Sequence, residues 1–318
     1  MWLILEGLKT DQKKWVYLLV LSIIWGTSYI LIKKGLQGFT PIQLGAVRVL
    51  LAALFLGVIG FRSLTKLTPY QWKWIAVSGF LGSFFPVFLF AYAQTEIDSG
   101  VTAVLNSMVP LFTLFIGRFL FGTAIRPLQL IGVLFGFIGA VGLILVGAQI
   151  HADQNYSYAL LILLAALGYA CNANIIKAKL QGASPLAIAT GNFAVITLPA
   201  LIILPLSGFF DTAVIEGPYF WSSLGYLTLL CVMSTCIAKI MFNRLIQMAD
   251  PVFSVSVTYL IPIVGLMWGV ADGESFVLQQ LLAALFILLG VYLVTQKKER
   301  LFFFSTKTKK RRSLRNAS

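Results

Sequence analysis

Long apolar runs, each closed by a short polar stretch, dominate the chain. Ten runs approach the roughly 20 residues that a hydrocarbon core about 30 Å thick requires of a helix: 15–33, 41–61, 72–94, 99–121, 127–148, 158–178, 185–207, 219–242, 251–271 and 277–296. Pro41, Pro127, Pro185 and Pro251 stand at the heads of four of them, where the missing N–H is one the first helical turn leaves free in any case. The pattern predicts an all-α integral membrane protein of ten transmembrane helices.

The punctuation repeats. "KKGLQGFTP" (33–41) returns as "KAKLQGASP" (177–185), with Lys33, Leu36, Gln37, Gly38 and Pro41 each matched 144 places on. "NSMVPLFTLFIGRFLFG" (106–122) resembles "TYLIPIVGLMWGVADGE" (258–274), setting Pro110 on Pro262 and Gly117 on Gly269 at an offset of 152. "QLIGVLFGFIGAVGLILV" (129–146) matches "QLLAALFILLGVYLVTQ" (280–296) through Leu134, Phe135 and Gly139 at an offset of 151. Three matches in order divide the chain into a first five-helix repeat (15–148), a loop (149–157) and a second five-helix repeat (158–296). Because five is odd, the second copy starts on the opposite side of the membrane. Inverted repeats let one midplane site face either side through nearly equivalent conformations, which points to alternating access.

Composition agrees: of 318 residues, 59% are hydrophobic and 11% charged, against about 25% charged in soluble domains. The mean hydropathy is +0.90. The opening fourteen residues lack the apolar core and small-residue site of a cleaved signal. A net charge of +13 raises the question of nucleic acid, but its placement argues against it. With the N-terminus (1–14) inside, 21 of the 24 basic residues fall on cytoplasmic segments, nine of them in the tail 297–318. That distribution satisfies the positive-inside rule and places both termini in the cytoplasm. The tail is expected to lie on anionic lipid. Lys33 and Lys34 alone fall outside, and Glu96, Asp98, Asp153, Asp211, Glu216, Asp272 and Glu274 share that side. Short loops suit a bacterial inner membrane.

Cys171, Cys231 and Cys236 sit in apolar runs and read as small hydrophobes, and His151 has no partner ligands. No metal or other cofactor is implied. No H-E-x-x-H, paired aspartates or serine–histidine arrangement lies in the spans, so an intramembrane enzyme is disfavoured.

The segments "IIWGTSYILIKKGL", "AVRVLLAALFLG", "VPLFTLFIGRFLFG", "LIGVLFGFIGAVGLIL" and "FNRLIQMADPVFSVSVTYLIPIVGLMWGVADGE" resemble those of the drug/metabolite transporter superfamily, EamA type, over about residues 15–296. The resemblance implies a basket-shaped ten-helix fold and export or exchange of small metabolites, often amino acids. Members carry Gly-Glu after the fourth and ninth helices; Gly273 and Glu274 fit, whereas Gly122 precedes Thr123. Other solutes (drugs, nucleosides, organic anions) and a non-transporting scaffold or receptor are the alternatives. A monomer or a homodimer is expected.

Arg48 reads as the only charge well inside a span, seven residues or about 10 Å from Pro41, with no intramembrane acid to pair it. It is either an anion site for a substrate carboxylate or a structural arginine bound to helix carbonyls. An arginine here is common in the family pattern, and its repeat mate is Asn192. The remaining substrate-binding candidates are polar and aromatic: Trp25, Ser28 and Tyr29; Asn106 and Ser107; Tyr169, Asn172 and Asn174; Ser234 and Thr235; Ser256, Thr258 and Tyr259. They would line a cavity or bond helix to helix. Pro110 and Pro262 fall inside helices and are candidate gating bends. Gly132, Gly136, Gly139 and Gly142 give a stripe for tight helix contact or a dimer face. Without an embedded carboxylate for a proton relay, with Glu96 and Asp98 the nearest, transport down a substrate gradient is favoured over proton antiport.

Overall fold

The computed structural model describes residues 10–122, 127–150, 154–249 and 251–295. The N-terminal residues 1–9, Thr123, Arg126, His151, Asp153 and the tail 297–318 lie outside the described residues. Those described are helical throughout, without strands. We number the long helices α1 (Thr10–Gly35), α2 (Pro41–Leu64), α3 (Pro69–Ala93), α4 (Ser99–Phe121), α5 (Pro127–Ile150), α6 (Ala159–Lys179), α7 (Pro185–Leu206), α8 (Phe220–Met248), α9 (Pro251–Ala271) and α10 (Leu278–Thr295). Eight of these, α1–α4 and α6–α9, are long and apolar enough to cross a membrane; the portions Pro127–Leu143 of α5 and Leu278–Gly290 of α10 are apolar but shorter.

Helix starts follow from local chemistry. Thr40 accepts from the Gln43 backbone N–H while the Gln43 side chain accepts from the Thr40 N–H, and Pro41 opens the helix. Thr68, Pro69 and Gln71 repeat this box on α3, and Ser184 with Pro185 caps α7. Each cap satisfies N–H groups that no intrahelical partner can reach. Large apolar side chains such as Val58, Phe61, Phe119, Leu206 and Trp221 point outward, a surface suited to lipid and not to water.

Four helices are interrupted, in two matched pairs. A π-helical turn, Phe80–Phe84, breaks α3, and another, Cys231–Ile237, breaks α8; their first residues are 151 apart. Turns after Asn106 break α4, and a 3-10 turn, Ser256–Tyr259, breaks α9. Pro110 and Pro262 are therefore not interior prolines, as the run lengths suggest. Each is the second residue of a restarted helix, Val109–Phe121 or Ile261–Ala271, where no hydrogen bond is lost.

The packing is matched as well. α2 packs on α7 and α5 on α10; α1 lies against α8 and α9, and α6 lies against α3 and α4. The glycine stripe serves the α5–α10 contact. A Cβ on Gly139 would meet the Ile287 nitrogen at 2.7 Å, and one on Gly290 would meet the Gly132 oxygen and Gly136 nitrogen at 2.4 Å. Gly290→Val is expected to cost about 1–3 kcal/mol, the range for overpacking, and to lower the melting temperature in detergent; an unchanged melt would show that the two helices separate freely.

Lys33 and Lys34 have local partners. Lys33 pairs with Asp272 at 3.0 Å and Glu274 at 2.8 Å, and Lys34 pairs with Asp272 at 2.5 Å. Gly273, at a φ of +88°, makes the turn that brings Glu274 inward. There its carboxylate, 2% exposed, accepts from the Ser99 N–H at 3.1 Å, the Ser99 hydroxyl at 2.7 Å and the Gly100 N–H at 3.1 Å. A residue after α9 thus caps the positive N-terminus of α4. Burial raises the Glu274 pKa, but the hydrogen bonds from Lys33, Ser99 and Gly100 outweigh it and hold the carboxyl below its ordinary value. Asp272 is likewise lowered, by the two lysines against desolvation. A depressed acid contributes stability above its unfolded pKa, about 4.3 for glutamate, and loses it as pH falls through the folded value. Glu274→Gln should cost about 1–3 kcal/mol at pH 7 and flatten the fall in melting temperature below about pH 4. Identical acid limbs in the two proteins would contradict this.

Candidate functional site

The two π-turns face each other across a central cavity enclosing about 900 Å³, counting its open mouth. Helices α1, α2, α3, α4, α6, α7, α8 and α9 contribute to its wall, and α5 and α10 do not. A π-turn leaves backbone carbonyls without their ordinary partners, and here side chains from the opposite half take them up. The Trp25 indole on α1 donates to the Ser234 carbonyl at 3.1 Å, and the Ser28 hydroxyl to the Ser234 hydroxyl at 2.6 Å. On the other π-turn, Lys239 of α8 donates to the Gly82 carbonyl at 2.7 Å and the Ser83 hydroxyl at 2.9 Å. The Asn172 side chain on α6 accepts from Ser78 at 2.5 Å and lies so close to Gly82 that a Cβ there would meet it at 2.3 Å. Gly82 is thus required for close approach of α6 to α3.

Equivalent positions do equivalent work. Trp25 and Tyr169, 144 apart, each meet an aromatic ring on the π-turn helix of the other half. Trp25 packs edge-on to Phe242 at 5.0 Å, and Tyr169 stacks on Phe90 at 5.9 Å. Ser28 and Asn172, also 144 apart, each reach that helix by a hydrogen bond. Tyr29 adds a second edge contact to Phe90 at 5.9 Å.

Ten of the fourteen substrate-binding candidates line this cavity: Trp25, Ser28, Tyr29, Arg48, Asn106, Tyr169, Asn172, Ser234, Thr235 and Thr258. Three do not. Asn174 donates to the Thr113 and Ala170 carbonyls at 3.1 and 3.0 Å, tying α6 to α4, the helix-bonding alternative. Ser107 and Ser256 donate to Val104 and Phe253 carbonyls three residues back, supporting the breaks in α4 and α9. The side chain of Tyr259 lies outside the described residues. Pro110 and Pro262 are absent from the wall, as are Glu96 and Asp98.

Arg48 is not the only charge within a span. Lys239, which a helix ending at 242 would leave near its end, lies within α8, which runs on to Met248. The extension persists because Met241, Phe242, Leu245 and Ile246 are buried against neighbouring helices. Lys239 is 8% exposed and lines the cavity with Arg48, 9% exposed. The sequence signal lay in the amphipathic spacing of residues 238–248, which total hydrophobicity conceals.

Arg48 makes one side-chain hydrogen bond, from Nε to the Thr235 hydroxyl at 3.0 Å. Among the described residues no carboxylate pairs with Arg48 or Lys239. Asn192, the repeat mate of Arg48, is fully buried. With its amide turned to satisfy its neighbours, it donates to the Ile75 and Ile188 carbonyls at 3.0 and 3.3 Å. In α2 and α7 alike this position bonds toward the π-turn helix of the opposite half. The Asn106 side-chain oxygen, Oδ1, is buried with no hydrogen-bond partner. Thr235→Val should strand the Arg48 Nε–H and cost about 1.5–3 kcal/mol, the range for a bond to a charged group, read as a lower melting temperature. No loss would mean that Arg48 takes another acceptor.

Two segments of the chain, residues 13–145 and 156–296, match the model of the EamA-like transporter family. An Escherichia coli protein named as an uncharacterized inner membrane transporter, YedA, is 28% identical over 287 residues, covering 88% of this chain and 90% of its own length. A protein of Salmonella typhimurium named as a probable amino-acid metabolite efflux pump is 26% identical over 287 residues, covering 86% and 92%. A solved crystal structure superposes with a TM-score of 0.62 at 17% identity, covering 88% of this chain and 95% of the other, which speaks to the fold alone.

Proposed function

The chain belongs to the EamA-like transporter family and is a multi-pass membrane protein, and from that premise we propose that it exports or exchanges small carboxylate metabolites, amino acids or related compounds, by alternating access. The observation that carries the reading is the cavity between the two matched segments, walled by four helices of each. Matched π-turns, matched packing partners and matched aromatic contacts support two five-helix repeats of opposite orientation, ten spans in all, with both termini in the cytoplasm of a bacterial cell and the solute site between the halves.

In this mechanism the aromatic walls of Trp25, Tyr29, Phe90, Tyr169 and Phe242 hold the body of the solute, and Arg48 takes its carboxylate as a bidentate partner. Asn106, at the end of the first part of α4, and Thr258, within the 3-10 turn of α9, bond the solute's polar groups. Exchange of the two repeat conformations moves the opening from one face to the other. The broken helices α3, α4, α8 and α9 supply the bending points, which is why irregular backbone stands where it faces the cavity. A solute gradient drives the cycle, and no membrane-embedded carboxylate is required.

The test is counterflow of radiolabelled amino acids and their derivatives into proteoliposomes holding the purified chain. Saturable uptake that depends on internal unlabelled solute is expected. Tyr169→Ala, which removes one aromatic wall, should lower the rate at least about tenfold, the scale of one lost aromatic contact of about 1.5 kcal/mol. Absence of flux across amino acids, nucleosides and organic anions would sink the transport reading.

A further inference from the structure

The two buried cations in the cavity wall break the internal symmetry. Most of the site repeats between the halves: aromatic on aromatic, hydroxyl or amide on π-turn. Arg48 and Lys239 do not. Their counterparts at offsets of 144 and 151 are Asn192 and Phe88, one neutral and the other apolar. Symmetric features serve the scaffold, because each must work in either half. Arg48 and Lys239 also bond the opposite half, but a neutral donor would serve that purpose, and a buried cation without an acid is unfavourable unless something in the cavity answers it.

Two backbone carbonyls of the wall are already engaged. Lys239 holds the Gly82 oxygen and Trp25 holds the Ser234 oxygen. No acid lines the cavity. The Asn106 side-chain oxygen, Oδ1, buried and unpartnered, accepts from a neutral hydroxyl or amide as readily as from an amine.

We propose that the cavity selects solutes of net negative charge: an organic carboxylate with an apolar or aromatic body and a neutral hydrogen-bond donor, such as a 2-hydroxy acid or an N-acylated amino acid, in preference to the free zwitterion. The inference rests on the transport reading above and names the charge class that this site takes. Arg48 and Lys239 together bind the carboxylate. A zwitterion brings its own cation into a wall that already holds two, with no acidic group to receive it.

Four solutes of one body separate the possibilities in the same proteoliposomes: phenylalanine, its N-acetyl derivative, phenyllactate and phenylalanine amide. We expect KM for the two anions at least tenfold below that for phenylalanine, and no transport of the amide. Lys239→Gln should raise KM for the anions about tenfold and that for phenylalanine by less, so that the preference narrows, and Lys239→Arg should restore it. Should both Lys239 variants fail to fold, the comparison in the unaltered chain still decides. Phenylalanine moved as well as or better than both anions overturns the proposal and leaves transport standing, as does an equal rise in KM for all solutes in Lys239→Gln. Flux of none of the four, nor of neutral amino acids and nucleosides, overturns both readings.

Discussion

In hydrocarbon a backbone carbonyl or N–H that loses its helical partner must find another within the protein, because no water is there to take its place. The structure depends on how that constraint is met at the two π-turns, Phe80–Phe84 and Cys231–Ile237. Each turn disrupts a helix at the cavity wall, and each is supported by side chains from beyond its own segment: Trp25, Ser28 and Arg48 at one, Lys239 and Asn172 at the other. The halves cannot be treated as independent bundles, since removing either leaves the π-turn helix of the other with unsatisfied groups.

This reciprocity also fixes where space remains. Side chains that bridge from α1 and α6 to the π-turn helices stand in the wall of the cavity. Outside it, the glycines of α5 and α10 permit backbone contact and contribute nothing to the wall. Close backbone packing thus lies at the periphery and the cavity at the centre. At one end of the molecule the Glu274 carboxylate holds the ends of α1 and α4 to the loop after α9, a joint that depends on charge and would have to open if those ends part.

Arg48 and Lys239 show how far a charge pattern can be trusted. Basic residues near helix ends ordinarily report orientation, and Lys239 looks like one of these when apolar runs are counted by length. In the folded chain it lies inside the wall, since four of its C-terminal neighbours are apolar at helical spacing and bury on other helices. The orientation expected from the basic residues loses one vote from a long list. The chemistry of the cavity changes more, because it then holds two cations, Arg48 and Lys239, among its lining residues and no acid.

The sequence alone determined the helices, their approximate ends, the proline and glycine punctuation, the repeat and most of the cavity's polar residues. Those are properties of local chemistry and of periodicity: apolar length, capping residues and matched motifs are visible without knowing what lies opposite. Tertiary structure decided the rest. It separated Asn174, which bonds helix to helix, from Asn172, two residues away, which faces the cavity; a 100° step per residue sends them to different neighbours. It turned Pro110 and Pro262 from interior kinks into starts of new helices, because the breaks before them are held by long-range packing. It brought Lys239 beside the cavity and left α5 and α10 out of it. Each outcome depends on which helix stands across from a residue, a relation between distant segments that no local pattern encodes.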